Sequence, residues 1–138
     1  MDTSEIDTYL QALDEELADR TIRKPVRLAV VGGVYMLFFL KNRAATKDVD
    51  VVAAFIPPLG PLTLWREYSH LHVYVPQADC MLALKLLSGR PRDAEDITAL
   101  CQQLNISTRE QAQALVDRYA DRHWQQECML EATLDALF

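Results

Sequence analysis

The chain has 138 residues, of which 50% are hydrophobic and 25% are charged, and its formal net charge is −6. This length and apolar content are typical of one folded domain and argue against a disordered chain. The acidic balance argues against broad binding to nucleic acid, although a local basic patch on such a protein can still hold phosphates.

The start of the chain and the cysteines favour a cytoplasmic protein. Met1 is followed by acidic residues, whereas a secretory signal needs a basic start and an apolar core. The longest apolar stretch, Leu28 to Leu40, contains a glycine pair and is too short to span a bilayer, so we expect no membrane association. Cys80, Cys101 and Cys128 are odd in number and widely spaced, which favours reduced thiols over a zinc site or a disulfide framework.

The first part of the chain predicts an amphipathic helix followed by a small strand-rich centre. Helical spacing of apolar residues, β-branched alternation and breaks at proline and glycine set the predicted boundaries. The predicted elements are a helix over 4–17, strands over 28–31, 47–55 and 71–75, and a buried helix over 34–41 between the first two strands.

From Ala78 onward the chain predicts helices only. One helix is expected over 81–87, a second is expected to begin with Asp93 as its N-cap, and Ser107-x-x-Glu110 predicts the capping box of a third. A last helix is expected to close the core with the apolar residues Trp124, Met129, Leu130, Leu134, Leu137 and Phe138. The sequence therefore predicts a single α+β domain over 1–138, with the sheet before about residue 77 and a helical part after it.

The second predicted strand carries two carboxylates, Asp48 and Asp50, on either side of Val49. Alternate strand residues point to the same face about 6 to 7 Å apart, so both carboxylates can converge on one ligand. Their repulsion, roughly 2 to 3 kcal/mol at an effective dielectric near 20, would be offset by a cation. Mg²⁺ prefers such hard oxygen ligands, and Mn²⁺ is an alternative. The simpler interpretation is an edge strand whose aspartates both face water.

A glycine pair, Gly32 and Gly33, follows the first predicted strand. Glycines at this place let backbone amides approach a phosphate closely, and the following helix offers its positive end. A tight strand-to-helix turn explains the same pair without any ligand.

Lys85 is the only charge in the apolar segment "MLALKLLSGR". Its ammonium either snorkels to the surface or meets a phosphate or the carboxylate pair of Asp48 and Asp50. The charged residues that follow it are Arg90, Arg92, Asp93 and Asp96. They either form surface salt bridges and a cap, or supply a guanidinium fork that holds a phosphate or positions the lysine.

Together these motifs resemble the DNA polymerase beta-like nucleotidyltransferases. "VGG" followed by "DVDVV" is similar to the G-G…D-x-D signature of that superfamily. Arg43 and Thr46 ahead of Asp48, then "LALKLLSGRPRDAEDITAL" and "LNISTREQAQALVDRYADRHW", resemble the bacterial group allied to the AbiEii and MenT toxins. The resemblance extends from about Leu28 to Phe138.

The resemblance implies a Mg²⁺-dependent enzyme built on a small mixed β-sheet, with helices flanking it. It implies that Asp48 and Asp50 bind Mg²⁺, which activates a hydroxyl to attack the α-phosphate of a nucleoside triphosphate and expels pyrophosphate. The implied catalytic residues are Asp48, Asp50 and Lys85; the nucleotide-binding ones are Gly32, Gly33, Arg43, Thr46, Lys85 and Arg90; and the supporting ones are Arg92, Asp93 and Asp96. The implied acceptor is a tRNA end or a protein hydroxyl, in a toxin–antitoxin setting with an antitoxin partner or a homodimer.

The chain departs from this resemblance in its centre. The segment between "DVDVV" and "LHVYV" is shorter than is common in relatives. The third strand also lacks the third carboxylate of many members, with Glu67 just before it and Asp79 just after it. Two alternatives therefore stand beside the enzyme: a catalytically silent module that binds a nucleotide or a partner, and a subunit that completes its site by dimerising through its apolar C-terminal end.

The remaining candidates are histidines and aromatic residues around the third strand. His70 and His72 share one face of an extended chain and could add a metal ligand, but we expect ordinary strand-edge histidines because no further ligands have metal spacing. Trp65, Tyr68 and Tyr74 could stack on a base, but we expect them to pack in the core or at its rim.

Overall fold

The structure, a computed structural model, describes residues 1–20, 23–42, 45–46 and 59–138, and the backbone alone of residues 50–53. The chain divides into two compact units, Met1–Pro76 and Gln77–Phe138. The first unit combines helices with a mixed sheet and the second is helical, so the fold is α+β. Within the described residues, no helix is long and apolar enough to cross a membrane.

The first unit begins with helix α1 (Thr3–Asp19), which the periodicity predicted. A capping box starts it: the Glu5 backbone N–H donates to the Asp2 carboxylate, and the Asp2 backbone N–H donates to the Glu5 carboxylate. Its buried residues, Ile6 and Leu10, lie one turn apart and form the stripe that faces the sheet.

The sheet of the first unit has the strand order β2-β1-β4-β3. Its strands are β1 (Val26–Val31), β2 (Asp50–Ala53), β3 (Leu62–Glu67) and β4 (Leu71–Pro76). Strand β1 is antiparallel to β2 and parallel to β4, and β3 and β4 form an antiparallel hairpin. The predicted strands at 28–31 and 71–75 are confirmed, as is the described part of the strand predicted at 47–55.

Strand β3 was not predicted from the sequence. Its register changes between Leu64, which pairs with Tyr74, and Arg66, which pairs with Val73, so that Trp65 is the extra residue of a β-bulge. The bulge breaks the alternation by which a strand is recognised. It also directs Trp65 onto Phe38 and Phe39, at ring-centroid distances of 4.7 Å and 5.5 Å, which confirms packing as the role of this tryptophan.

The two faces of the sheet differ in what covers them. On β4, Leu71, Val73 and Val75 are buried, and α1 packs against this strand. Alternation puts His72 and Tyr74 on the opposite face, where they pair with Arg27 and Ala29 of β1. By the same alternation, this opposite face also includes the position of Val31, which pairs with Asp50.

Beyond β1, the predicted helix at 34–41 is observed as a short α-helix, α2 (Gly33–Tyr35), that continues into a π-helical turn (Met36–Leu40). Val34 and Met36 are fully buried. Lys41 ends the turn with a φ of 57°, in the left-handed region. The aromatic and β-branched residues of this segment would also suit a strand, but here they pack beside β1 and β3.

The second unit is built around one helix, α3 (Ala78–Ser88). It contacts three of the helices that follow. A 3₁₀ turn (Pro91–Asp93) leads into them; they are α4 (Ala94–Leu104), α5 (Arg109–Asp117), α6 (Arg122–Glu127) and α7 (Leu130–Leu137). Because α4, α5 and α7 all touch α3, nearly the whole circumference of α3 is buried.

The predicted ends of the helices in this unit need correction at two places. The capping box of α5 is Thr108 with Gln111, one residue later than Ser107 with Glu110. Both overlapping pairs satisfy the motif because glutamine accepts a hydrogen bond as glutamate does, and the structure uses the second pair. The last helix is in fact two, α6 and α7, separated at Met129, whose φ is 55°.

This break changes which C-terminal residues are buried. Leu130 and Leu134 lie in the core as predicted, but Met129 is 69% exposed and Leu137 and Phe138 are about two fifths exposed. A left-handed residue between α6 and α7 resets the helical phase, so apolar residues on either side of it no longer share one face. The prediction that Met129, Leu137 and Phe138 close the core is therefore wrong.

Candidate functional site

The predicted site residues fall in both units. The first unit contains Gly32, Gly33, Thr46 and the backbone of Asp50; the second contains Lys85, Arg90, Arg92, Asp93 and Asp96. Arg43 and Asp48 lie outside the described residues.

The glycine pair forms the turn between β1 and α2. Gly32 has φ 66° and ψ −135°, a conformation that only glycine adopts without strain. Its carbonyl accepts from the backbone N–H of Met36 at 3.2 Å. The first glycine is therefore required by the turn itself, whether or not a ligand lies against it.

Pairing between β1 and β2 brings the start of the carboxylate strand to this turn. Asp50, the first residue of β2, pairs with Val31, the residue before Gly32. Val51 and Val52 then pair with Val30 and Ala29. Asp50 is therefore positioned, by its backbone, beside the glycine turn, an antiparallel juxtaposition that the sequence motifs alone did not specify.

Thr46 is buried and fixed by the beginning of the chain. Its backbone N–H donates to the carbonyl of Met1 at 2.9 Å, and its own carbonyl accepts from the Met1 amino group. These two hydrogen bonds fix the backbone of Thr46, which lies close in sequence to Asp48 and Asp50.

Lys85 is enclosed in the second unit. The residue is 4% exposed, so of the two alternatives the structure excludes snorkelling to the surface. The ammonium lies 3.0 Å from Asp93 Oδ1 and 3.0 Å from Asp96 Oδ2, and both carboxylates are buried. A buried ammonium is costly unless it is paired, and here two carboxylates share it.

Asp93 is the centre of this buried charge cluster. Its Oδ1 accepts from Lys85, and its Oδ2 lies 3.1 Å from the Ser88 hydroxyl and 2.9 Å from Arg90 Nε. It occupies the N-cap position of α4, as predicted, but its side chain caps nothing. The capping role is wrong because the two side-chain oxygens are already engaged by Lys85, Ser88 and Arg90.

The pKa of Asp93 reflects this environment. Burial on its own raises the pKa, but the hydrogen bond and charge of Lys85, followed by those of Arg90, outweigh it and hold the pKa below the usual range. Asp93 is thus ionised at neutral pH, which keeps the cluster an assembly of charged groups.

Arg90 and Arg92 differ in how they are held. The Arg90 side chain is 44% exposed, and within the described chain its one partner is Asp93, reached through Nε. Arg92 is exposed and makes no ion pair with any described residue. Gly89, which has φ 61°, shapes the turn before Arg90.

Glu67, the acidic residue before β4, is too far from Asp50 to serve as a third carboxylate. Glu67 pairs with His72, which pairs with Arg27, four residues before Val31 on β1. At about 3.3 Å per residue, Glu67 is roughly 13 Å along the sheet from the pair of Val31 and Asp50. That separation excludes a shared metal ion.

Asp79 is engaged inside the second unit. It accepts from the Tyr119 hydroxyl at 2.8 Å and from the Cys80 backbone N–H at 2.8 Å, and it lies 3.2 Å from Arg118 Nη1. Burial, with the Asp79 charge beside it, raises the pKa of Cys80 to about 12, so this thiol is unreactive at neutral pH. Sequence reasoning missed this cluster, because no pattern links Asp79 to a tyrosine so far along the chain.

The histidines are not at a strand edge: His72 lies in β4, an inner strand of the sheet, and His70 directly precedes that strand. His72 Nε2 lies 3.6 Å from the Glu67 carboxylate, and His70 donates its backbone N–H to Asp14 at 2.7 Å. Among the residues that the structure describes, no group of three His, Cys, Asp or Glu side chains could hold a metal ion. Asp48 lies outside the described residues and Asp50 is described by its backbone alone, so Mg²⁺ binding at these two residues stays a prediction.

Comparisons of the chain with known protein families, with curated proteins and with solved structures found no match.

Proposed function

We propose that this protein is a Mg²⁺-dependent nucleotidyltransferase that transfers a nucleotide from a nucleoside triphosphate to an acceptor. The observation that supports this most directly is the pairing of Asp50 with Val31. It brings the strand of the D-x-D motif next to the Gly32–Gly33 turn, the arrangement in which carboxylates and a close backbone approach can serve the same phosphate.

The donor set of Asp48 and Asp50 suits Mg²⁺. Carboxylate oxygens are the hard ligands that this ion takes, commonly together with substrate phosphates. The strand predicted over 47–55 would give the two residues a common face. Bound there, the ion would neutralise phosphate charge and lower the pKa of the attacking hydroxyl. The chain itself would orient the triphosphate through the backbone at Gly32 and Gly33 and would hold the strand in register through β1.

The acceptor and setting come from the resemblance alone. A tRNA end and a protein hydroxyl both present a nucleophilic oxygen, and nothing in the described residues separates them. A toxin–antitoxin setting, with an antitoxin partner or a homodimer, belongs to the same proposal.

A transfer assay tests the activity. The protein is incubated with Mg²⁺ and each labelled triphosphate, together with total tRNA or with its own chain as acceptor. We expect label transfer by the unmodified protein and a loss of at least about 100-fold in the double variant Asp48→Asn, Asp50→Asn, because the ion supplies several kcal/mol of transition-state stabilisation. The matched control Asp19→Asn, an exposed aspartate at the end of α1, should transfer normally. Undiminished transfer by the double variant would contradict the proposal.

A catalytically silent binding module is the second candidate. It is favoured by the distance of Glu67 from Asp50, because a general base typically contributes 10² to 10⁴-fold to such a reaction. Triphosphate binding without transfer to any acceptor would support this candidate, and the absence of nucleotide binding would contradict both.

A further inference from the structure

We propose that the apolar groove between α4 and α7 binds a second copy of this chain, in a symmetric dimer whose two α7 helices pack antiparallel. The sequence left dimerisation through the apolar C-terminal end open, and the groove gives it a defined surface. All residues that carry the inference belong to the second unit. The inference does not depend on the proposed function, so either can fail without the other.

The α4–α7 groove is made of two cavities, of about 490 Å³ and about 590 Å³, which share Ile97 of α4 and Leu137 of α7. The first cavity lies along the first turn of α4 and most of α7, and the second lies along the rest of α4 and the end of α7. The C-terminal ends of both helices therefore lie at the same end of the groove. The 11 residues of α4 give it a length of roughly 16 Å, enough for a helix as short as α7.

Helix α7 has an apolar face in addition to the one that packs in the core. Met129, Ala132 and Ala136 follow one another at helical spacing, and all three are exposed. Met129 is 69% exposed, and Leu137 and Phe138, beside the second cavity, are about two fifths exposed. An uncovered apolar patch of this kind commonly marks an interaction site.

The order of large and small side chains on this face suits a second copy. Two α7 helices can approach closely where Ala132 and Ala136 of both copies meet. An antiparallel arrangement then brings Met129 of one copy beside Leu137 of the other, where crossing helices diverge and larger side chains fill the space. The same surface supplies both sides of the interface, as a two-fold symmetric dimer requires.

The charges at the two ends of the groove are complementary only when the copies run antiparallel. Among the described residues, Arg90 is the only charged one that lines either cavity, and Arg92 beside it makes no ion pair. Glu95 and Glu131, in the first turns of α4 and α7, line neither cavity. At the opposite end, α4 and α7 each present C-terminal carbonyls, equivalent to roughly half a negative charge, and neither has a basic residue in its last turn. An antiparallel copy places each positive end against a carbonyl end.

Sedimentation velocity of the full chain over a concentration series tests the dimer. The net charge of −6 on each copy opposes association, so we expect a dissociation constant in the micromolar range, with monomer at about 1 μM and dimer above about 100 μM. A chain that stays monomeric throughout would overturn the inference and leave the groove to a helix of another protein. Growth beyond the dimer would also overturn it, because a two-fold interface closes at two copies.

A charge at the centre of the interface tests which surface is used. Ala132→Glu should weaken dimerisation by at least about 100-fold, because the carboxylate would be buried without a partner. Since Ala132 is exposed, the melting temperature at a concentration where the protein is monomeric should not change. Ala12→Glu, the same change at an exposed alanine of α1, should dimerise normally. Undiminished dimerisation of Ala132→Glu would overturn the inference.

Disulfide cross-linking tests the antiparallel orientation. In a Cys128→Ser background the remaining cysteines, Cys80 and Cys101, are buried. Under a thiol oxidant, Met129→Cys and Leu137→Cys should cross-link when the two variants are mixed but not when each is alone, because a disulfide needs Cα atoms within about 7 Å. Cross-linking of each variant with itself, or of neither in the mixture, would overturn the antiparallel dimer.

Discussion

Lys85 lies on a helix that other helices touch on several sides, so its side chain has no short route to water. Its partners, Asp93 and Asp96, lie beyond a turn and on the next helix. The sequence marks all three residues as unusual or charged, but the pairing depends on how Gly89 and Pro91 reverse the chain. A lone charge in an apolar helix therefore identifies a cluster without specifying which partner holds it.

The pH dependence of stability follows from the lowered pKa of Asp93. Above the unfolded-state pKa of about 3.9 both states are ionised and the contribution of Asp93 is fully present. As the pH falls from there through the lowered folded-state pKa, only the unfolded chain gains the proton and the contribution is lost. We expect denaturant unfolding to show a decline in the free energy of unfolding below about pH 4, and a flatter decline for Asp93→Asn.

At neutral pH the same variant should be less stable by about 2 to 3 kcal/mol, because it weakens the pairing of a buried ammonium. Asp135→Asn is the matched control: its pair with Arg109 is 68% exposed on the aspartate side, so its loss should cost under about 1 kcal/mol. Parallel pH profiles for the protein and Asp93→Asn would show that Asp93 does not control the acid transition.

At the scale of the elements, local chemistry specifies the helix ends well. The errors in predicting them are a one-residue shift of a capping box and a missed break between two helices. The overlapping boxes in "STREQ" differ by one position, and the left-handed Met129 turns one predicted helix into two. The bulge at Trp65 hides a whole strand because it breaks alternation at its middle. Local signals therefore predict an element reliably only when its periodicity is uninterrupted.

Two helix C-termini permit a paired test of backbone conformation. Helices α3 and α4 end in left-handed residues, Gly89 with φ 61° and Asn105 with φ 56°. We expect Gly89→Ala to lower the free energy of unfolding by about 1 to 2 kcal/mol, and more if Thr133 cannot move away from the new Cβ. Asn105→Gly should be neutral or stabilising by a few tenths of a kcal/mol, since glycine adopts this conformation freely. Thermal unfolding checks both, and equal effects of the same sign would contradict the argument.

At the scale of the whole molecule, the class of the fold and the succession of helix, sheet and helices followed from composition and periodicity. The strand order did not, because the antiparallel pairing of β1 with β2 and the parallel pairing of β1 with β4 join residues distant in sequence. The candidate site shows the same division. Its residues could be named from motifs, whereas the pairing of Asp50 with Val31 and the sharing of Lys85 by two carboxylates are consequences of tertiary structure.

The helical unit offers a test of whether its core can fold without the first unit. Helix α3 contacts α4, α5 and α7, and α7 contacts α5 and α6, all within Gln77–Phe138. A unit of roughly 60 residues is close to the lower limit for independent folding, so we expect a fragment of residues 77–138 to be helical by circular dichroism, with a cooperative thermal transition at low temperature.

In the fragment, Leu82→Ala removes a fully buried side chain and should abolish the transition, since such a change costs about 2 to 5 kcal/mol. Leu137→Ala, at a side chain that is 40% exposed, should leave it nearly unchanged. A fragment without a cooperative transition would mean that these helices need the sheet unit in order to fold.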